Sequence, residues 1–209
     1  MQNLFNDIRN KLPKLRKVET RVQTAGGELF VERRDEEGGF SGLSNPTPRG
    51  PQRCAGFVYD FKPDLQMALV APGLYVGSQD VAAEKEILKS KNVLHIVNAA
   101  SGIGNHFPED FRYMKLNILD LPEQDIKSVF ESCFAFIDEA LAAGGSTFVH
   151  CNAGVSRSST ICIAYLISRQ RMRLNRALNK VRSERPIVRP NDGFMRQLRE
   201  FEAETLGIA

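Results

Sequence analysis

What this 209-residue chain lacks narrows its function before anything it contains is considered. No apolar run approaches the roughly 18–20 residues of a membrane span. The opening Met1-Gln-Asn-Leu-Phe-Asn-Asp is followed by no apolar signal core, and Gln2 occupies the position where N-myristoylation needs glycine. The four cysteines, Cys54, Cys133, Cys151 and Cys162, nowhere fall two to four residues apart, which excludes a structural zinc knuckle. The expectation is a soluble chain in a reducing compartment, the cytoplasm with the nucleus also open. It needs no metal or cofactor, and its thiols are free unless chemistry uses them.

Net charge is also nearly missing. A formal +3 seems to deny an anionic partner, because steering by charge needs a field. The total is misleading, since residues 63–156 carry −6 and residues 157–189 carry +8. An anionic ligand is therefore sought near the second block. Its Arg169, Arg171, Arg173, Arg176, Lys180, Arg182, Arg185 and Arg189 fall at expected helix ends and polar faces, with only Tyr165 among them. Nucleic-acid binding would want interleaved aromatics, so the block reads as surface potential for acidic phosphopeptides or a protein partner, and nucleic acid is not expected.

Residues 22–56 are rich in Gly, Pro and charge, with very short apolar clusters, a composition that buries too little surface to offset ordering entropy. Residues 1–62 read as a largely flexible arm with a short helix near 2–11. Beyond residue 63, strands and helices alternate, which predicts an α/β domain over 63–207. Strands are expected at 68–70, 74–76, 93–97, 111–118 and 147–150. Helices are expected at 81–91, 126–142, 158–169, 174–184 and 192–204. There is no internal repeat.

The chemistry concentrates after the strand ending at His150, in Cys151-Asn-Ala-Gly-Val-Ser-Arg157-Ser158. A loop of small residues between a strand end and a helix start turns successive backbone N–H groups into one concavity, and the helix dipole adds positive potential. Asn152, Ala153, Gly154, Val155, Ser156 and Arg157 are the expected phosphate ligands. Arg157 can grip two phosphoryl oxygens with its planar fork. Cys151 opens the loop inside that field, which favours thiolate over thiol, and a thiolate beneath a phosphate can attack phosphorus in line. Expelling the leaving oxygen needs a proton donor. Asp120 fits, at the end of a strand and the start of Asp120-Leu-Pro122, 31 residues before Cys151. Asp125 reads as a helix N-cap, Glu123 as first-turn charge, and Cys133 and Cys162 as packing.

His-Cys-x5-Arg-Ser with an upstream Asp resembles the cysteine-dependent protein phosphatases, in their dual-specificity branch. Asp120-Leu-Pro-Glu-Gln-Asp-Ile-Lys-Ser-Val-Phe130 and Arg185-Pro-x3-Pro190-Asn191-x-Gly193-Phe194 extend the likeness over about 64–206. Gly77-Ser-Gln-Asp80 and Asn117-Ile-Leu-Asp-Leu-Pro122 are similar to atypical members that regulate the stress-activated kinase pathway. The resemblance implies a three-layer α/β/α domain with a central mixed sheet. It implies a two-step reaction with Cys151 as nucleophile, Asp120 as acid and then base, and Arg157 as oxyanion ligand. Ser158 would assist thiolate departure, and His150 would support the loop. Asn191 reads as a helix cap, with support of the loop as the lesser reading.

The loop's variable positions carry no lysine, which speaks against an inositol head group. Little chain separates the first strand from Cys151, so a pocket deep enough for phosphotyrosine alone is not expected. The expected substrates are phosphotyrosine and phosphoserine or phosphothreonine in proteins, and the resemblance points to kinases of the mitogen-activated or stress-activated (JNK-type) cascade. A phosphoprotein-binding adaptor or scaffold is the alternative. A phosphatase acting on RNA 5′ phosphates or lipids, or a rhodanese-like sulfur transferase, stands lower.

Overall fold

The computed structural model describes three strands before residue 42 and residues 63–207 continuously. The chain divides into two compact units, Met1–Lys62 and Pro63–Ala209. In the first, β1 (Glu19–Gln23), β2 (Leu29–Arg34) and β3 (Phe40–Ser41) pair antiparallel in that order. No strand was expected there, because apolar clusters as short as Leu29-Phe-Val31 give little periodicity to read. The helix expected near 2–11 lies outside the described residues.

The second unit has the expected alternating order. Its strands are β4 (Ala68–Ala71), β5 (Leu74–Gly77), β6 (Val93–Asn98), β7 (Arg112–Lys115) and β8 (Ser146–His150). They lie in the order β4-β5-β8-β6-β7, with β4 antiparallel to β5 and every other pairing parallel, which makes a mixed sheet. Because β8 is the central strand, all five of its residues are buried, as expected of a strand covered on both faces.

Helices cover those faces. On one side lie α1 (Gln79–Ala82) and α2 (Lys85–Ser90), whose Val81, Ala82 and Leu88 pack with Val93, Ile96 and Phe148. On the other lie α3 (Phe130–Ala142), α4 (Arg157–Gln170), α5 (Leu174–Glu184) and α6 (Asp192–Leu206), around the larger core that takes Leu74, Val76, Val97 and Val149 from the sheet. The period of two along a strand divides β8 accordingly, Phe148 to one layer and Val149 to the other. On α3, Phe130, Cys133, Phe134, Ile137 and Ala140 recur at helical spacing and are buried. Helix α4 is buried from Arg157 to Ile167 and forms the hub of its layer.

Three boundaries differ from expectation. The helix over 81–91 splits at Ala83–Glu84 into two short ones. The helix over 126–142 begins with a 3₁₀ turn, Lys127–Val129, capped by Asp125 Oδ1 accepting from the Ser128 amide at 3.1 Å. The strand over 111–118 stops at Lys115, after which only the Leu116 amide still donates to Asn98 O. The chain then leaves the ladder toward Asp120. Among the described residues no helix is long and apolar enough to cross a membrane.

Candidate active site

Cys151 leaves the C-terminal end of β8, between the parallel neighbours β5 and β6, where open α/β sheets place their ligand crevice. Its loop turns into α4 through Gly154, whose φ of +67° lies in the left-handed region. A Cβ there would lie 2.5 Å from Gly77 O and 2.9 Å from Arg185 Nη2, so only glycine permits the approach.

Four consecutive carbonyls of the loop are held from outside it. Asn152 O accepts from Gln79 N at 2.9 Å and Ala153 O from Arg185 Nη2 at 2.8 Å. Gly154 O accepts from Arg185 Nε at 2.9 Å and Val155 O from Arg189 N at 2.9 Å. A trans peptide opposes its C=O and N–H, so the amides of residues 153–156 face the other way, into the loop's concavity. Together with the N-terminus of α4 they form an anion cradle.

Arg157 is buried at 7% exposure and faces this cradle. Its Nη1 donates to Ala99 O, Ser101 Oγ and Ile118 O at 3.0–3.2 Å, and its Nη2 to Asn152 Oδ1 at 2.7 Å. Its buried Nε has no hydrogen-bond acceptor and stands 3.6 Å from Asp120 Oδ2, an ion-pair distance rather than a hydrogen bond. Asp120 is exposed, and its Oδ1 accepts from Ser156 Oγ at 2.8 Å and Asn191 Nδ2 at 2.9 Å. Asn191 Oδ1 also caps α6 by accepting from Phe194 N at 2.9 Å, and its amide donates to Ser156 Oγ at 3.1 Å. Asp120, Ser156, Arg157 and Asn191 thus form one connected group.

Around Cys151, Ser158 Oγ donates to Sγ at 3.3 Å from the first turn of α4. His150 is 1% exposed, stacks on Phe148 with ring centroids 5.6 Å apart, and places Nδ1 3.4 Å from Cys151 O. Burial, with Lys115 and His106 adding repulsion, pushes its pKa down to about 4, so the imidazole is neutral. Cys133 and Cys162 pack in the core, where burial raises both thiols, Cys133 to about 12. No cluster fit to hold a metal occurs among the described residues.

Several residues at the site escaped the sequence reading. Arg185, expected from sequence to be surface charge, is fully buried. It pairs with Asp64 and holds the cradle's carbonyls, which corrects that part of the basic block. Burial raises Asp64, but hydrogen bonds from Arg185 and from Gln66 N outweigh it and keep the carboxyl below its ordinary range. Buried Asn98 ties down the wall beside Arg157, donating to Ile103 O, Gly104 O and Asn105 Oδ1 and accepting from Ala100 N and Lys115 Nζ. Burial, then the charge of Arg157, lowers the Lys115 pKa. Gln197 on α6 takes the amides of Ile126 and Lys127 on Oε1 and donates to Gln124 O, holding the segment after Asp120. The contacts of Arg185 and Gln197 join residues far apart in sequence.

The chain's likeness to known proteins agrees with this geometry. Residues 74–204 match the family model described as dual specificity phosphatase, catalytic domain. Dual specificity protein phosphatase 19 of Mus musculus is 42% identical over 188 residues, covering 90% of this chain and 84% of the relative. Dual specificity protein phosphatase 1 of Arabidopsis thaliana is 43% identical over 142 residues, covering 68% and 72%. Among solved structures, the human tyrosine phosphatase-like serine/threonine/tyrosine-interacting protein is 35% identical with a TM-score of 0.65, covering 67% of this chain and 97% of that one. A mouse dual specificity phosphatase complexed with zinc tungstate is 30% identical with a TM-score of 0.65, covering 74% and 98%. With a cysteine at the floor of an anion cradle, an arginine inside it and a carboxylate at its rim, this chain belongs to the dual specificity phosphatases and is a protein tyrosine/serine/threonine phosphatase.

Proposed function

We propose that the chain cleaves phosphate monoesters on proteins through a phosphocysteine intermediate, with Cys151 as nucleophile. The observation that carries this reading is the outward fixing of the four carbonyls of 152–155, which leaves an amide-lined cradle at Cys151. The Cys151 sulfur forms a bond to phosphorus as the ester P–O bond breaks, and Asp120 gives its proton to the departing oxygen. Water then attacks phosphorus, Asp120 takes its proton, the S–P bond breaks, and the Ser158 hydroxyl stabilises the departing thiolate through its bond to Sγ. Arg157 and the amides of 152–157 bind the equatorial oxygens in both steps. Neutral His150 packs beneath the loop and supports it. The tungstate bound by a relative of the same fold is an oxyanion of the kind this cradle suits.

Substrates in a mitogen-activated or stress-activated (JNK-type) kinase cascade, met in the cytoplasm, are the finer part of the reading. Their support is the sequence resemblance, with residues 63–207 as the catalytic domain and 1–62 as an arm outside it. Cys151→Ser should abolish turnover of an aryl phosphate and of dually phosphorylated activation-loop peptides while leaving peptide binding intact. Retained turnover would remove Cys151 from the mechanism, and a peptide panel turned over without preference would remove the cascade. A second reading, a phosphoprotein-binding adaptor, is favoured by the likeness to a solved structure whose own description is of an interacting protein. Copurification of a phosphorylated kinase with a wild-type chain that shows no aryl phosphatase activity would establish it instead.

A further inference from the structure

Arg185 is the largest fully buried side chain of the domain, and none of its donors reaches the cradle's interior. A buried guanidinium is tolerated only when paired and hydrogen-bonded. Its ion-pair partner is Asp64, itself held by its own amide donating to Asp80 Oδ2 at 2.9 Å and its carbonyl accepting from Ser78 Oγ at 2.8 Å. Nη1 also donates to Gln66 O at 3.3 Å. The remaining edge of the fork, Nε and Nη2, meets two successive loop carbonyls, Gly154 O and Ala153 O.

From this geometry we infer that Arg185 is the positioning residue of the phosphate cradle, with Asp64 setting its orientation. Fixing the carbonyls of 153 and 154 fixes the amides of 154 and 155 toward the bound oxyanion. Because the Arg185 charge is matched by Asp64 and lies behind the loop, its contribution is orientation of those amides and not direct attraction. Lysine retains the charge but has no planar fork to hold two carbonyls at once. The inference rests on the reading of the loop as an oxyanion site, so its test begins by showing that the wild-type chain is inhibited by orthovanadate. A wild type indifferent to vanadate would overturn that reading, and the inference with it.

Given wild-type inhibition, Arg185→Lys should raise the vanadate inhibition constant and the KM for an aryl phosphate by about tenfold, the size of a lost charge-assisted hydrogen bond. Asp64→Asn, which removes the countercharge but keeps a side-chain acceptor at a partly exposed position, should move both in the same direction by about threefold. A merely structural role predicts something else, a lower melting temperature and a smaller active fraction with the inhibition constant and KM unchanged. That pattern in Arg185→Lys would refute the inference while leaving the oxyanion site intact. Should Arg185→Lys fail to fold, an unchanged inhibition constant in Asp64→Asn would refute it.

Discussion

The carboxylate at the rim of the cradle is held in place from α6, and a single methyl group should dislodge it. Gly193 lies in the first turn of α6 with backbone torsions that any residue can adopt, so replacing it with alanine in an open helix would gain up to about 1 kcal/mol. Here the sign reverses. A Cβ built at Gly193 falls inside the Pro122 carbonyl group, with the carbonyl carbon and Cα of Pro122 each at 2.5 Å. All three obstructing atoms are backbone and cannot rotate aside. To regain an ordinary contact of 3.4 Å or more with the carbonyl oxygen, which lies nearest, the segment carrying Asp120-Leu-Pro122 must retreat by about 1.5 Å. The overlap outweighs the helix gain, and the retreat pulls Asp120 away from Asn191 Nδ2 and Ser156 Oγ. A misplacement of about 1 Å costs roughly a hundredfold in rate, or about 2.7 kcal/mol of transition-state stabilisation. The loss should fall unevenly, because a leaving group of low pKa departs without a proton and one of high pKa does not. With a series of aryl phosphates, Gly193→Ala should lose about a hundredfold in kcat on poor leaving groups and only a few-fold on good ones, steepening the dependence on leaving-group pKa toward that of Asp120→Ala. A Gly193→Ala protein with the wild-type dependence, or with equal losses across the series, would refute the coupling between α6 and the acid.

Two further perturbations test the supporting shell. His150 is neutral in the folded chain down to about pH 4, whereas the unfolded chain takes up its proton near 6.5. The unfolded state therefore binds more protons in that window, and stability should fall by roughly 3 kcal/mol as pH drops from about 6.5 to about 4. His150→Gln should flatten that part of the profile in denaturant titrations, and an unchanged slope would assign the loss to other groups. Asn98→Leu removes the acceptor of Ala100 N and Lys115 Nζ and the donor to the 103–105 wall. It should cost about 2–4 kcal/mol in urea unfolding and lower kcat/KM by loosening the neighbouring Ala99 O and Ser101 Oγ that accept from Arg157, while full activity would show that Arg157 holds itself.

The reading from sequence was sound where the physics is local. A strand end, a loop of small residues and a helix start lie within a dozen positions, so the spacing points to an anion loop holding Cys151 and Arg157, while Ser158 enters only through the family resemblance. Asp120 opens Asp120-Leu-Pro122 beyond the strand that ends at Lys115, a place that suits an acid on a second loop and equally a plain turn former. Arg185 and Gln197 are illegible in the sequence because their contacts join distant positions. The Asp64 partner of Arg185 is 121 residues away, and the Ile126 partner of Gln197 is 71. Period and composition carry no trace of such pairs, and a buried arginine is spelled like an exposed one.

From sequence the +8 of residues 157–189 reads as surface potential, but two of its charges, Arg157 and Arg185, are buried beside the same loop. Arg157 keeps an unsatisfied Nε near an exposed carboxylate, and so has a donor in hand for a phosphoryl oxygen. Arg185 commits every donor to Asp64, Gln66 and the loop's own carbonyls, and so has none. The difference lies in the partners and not in the residue type. One arginine has a donor free for an anion, and the other is spent on the carbonyls of the loop.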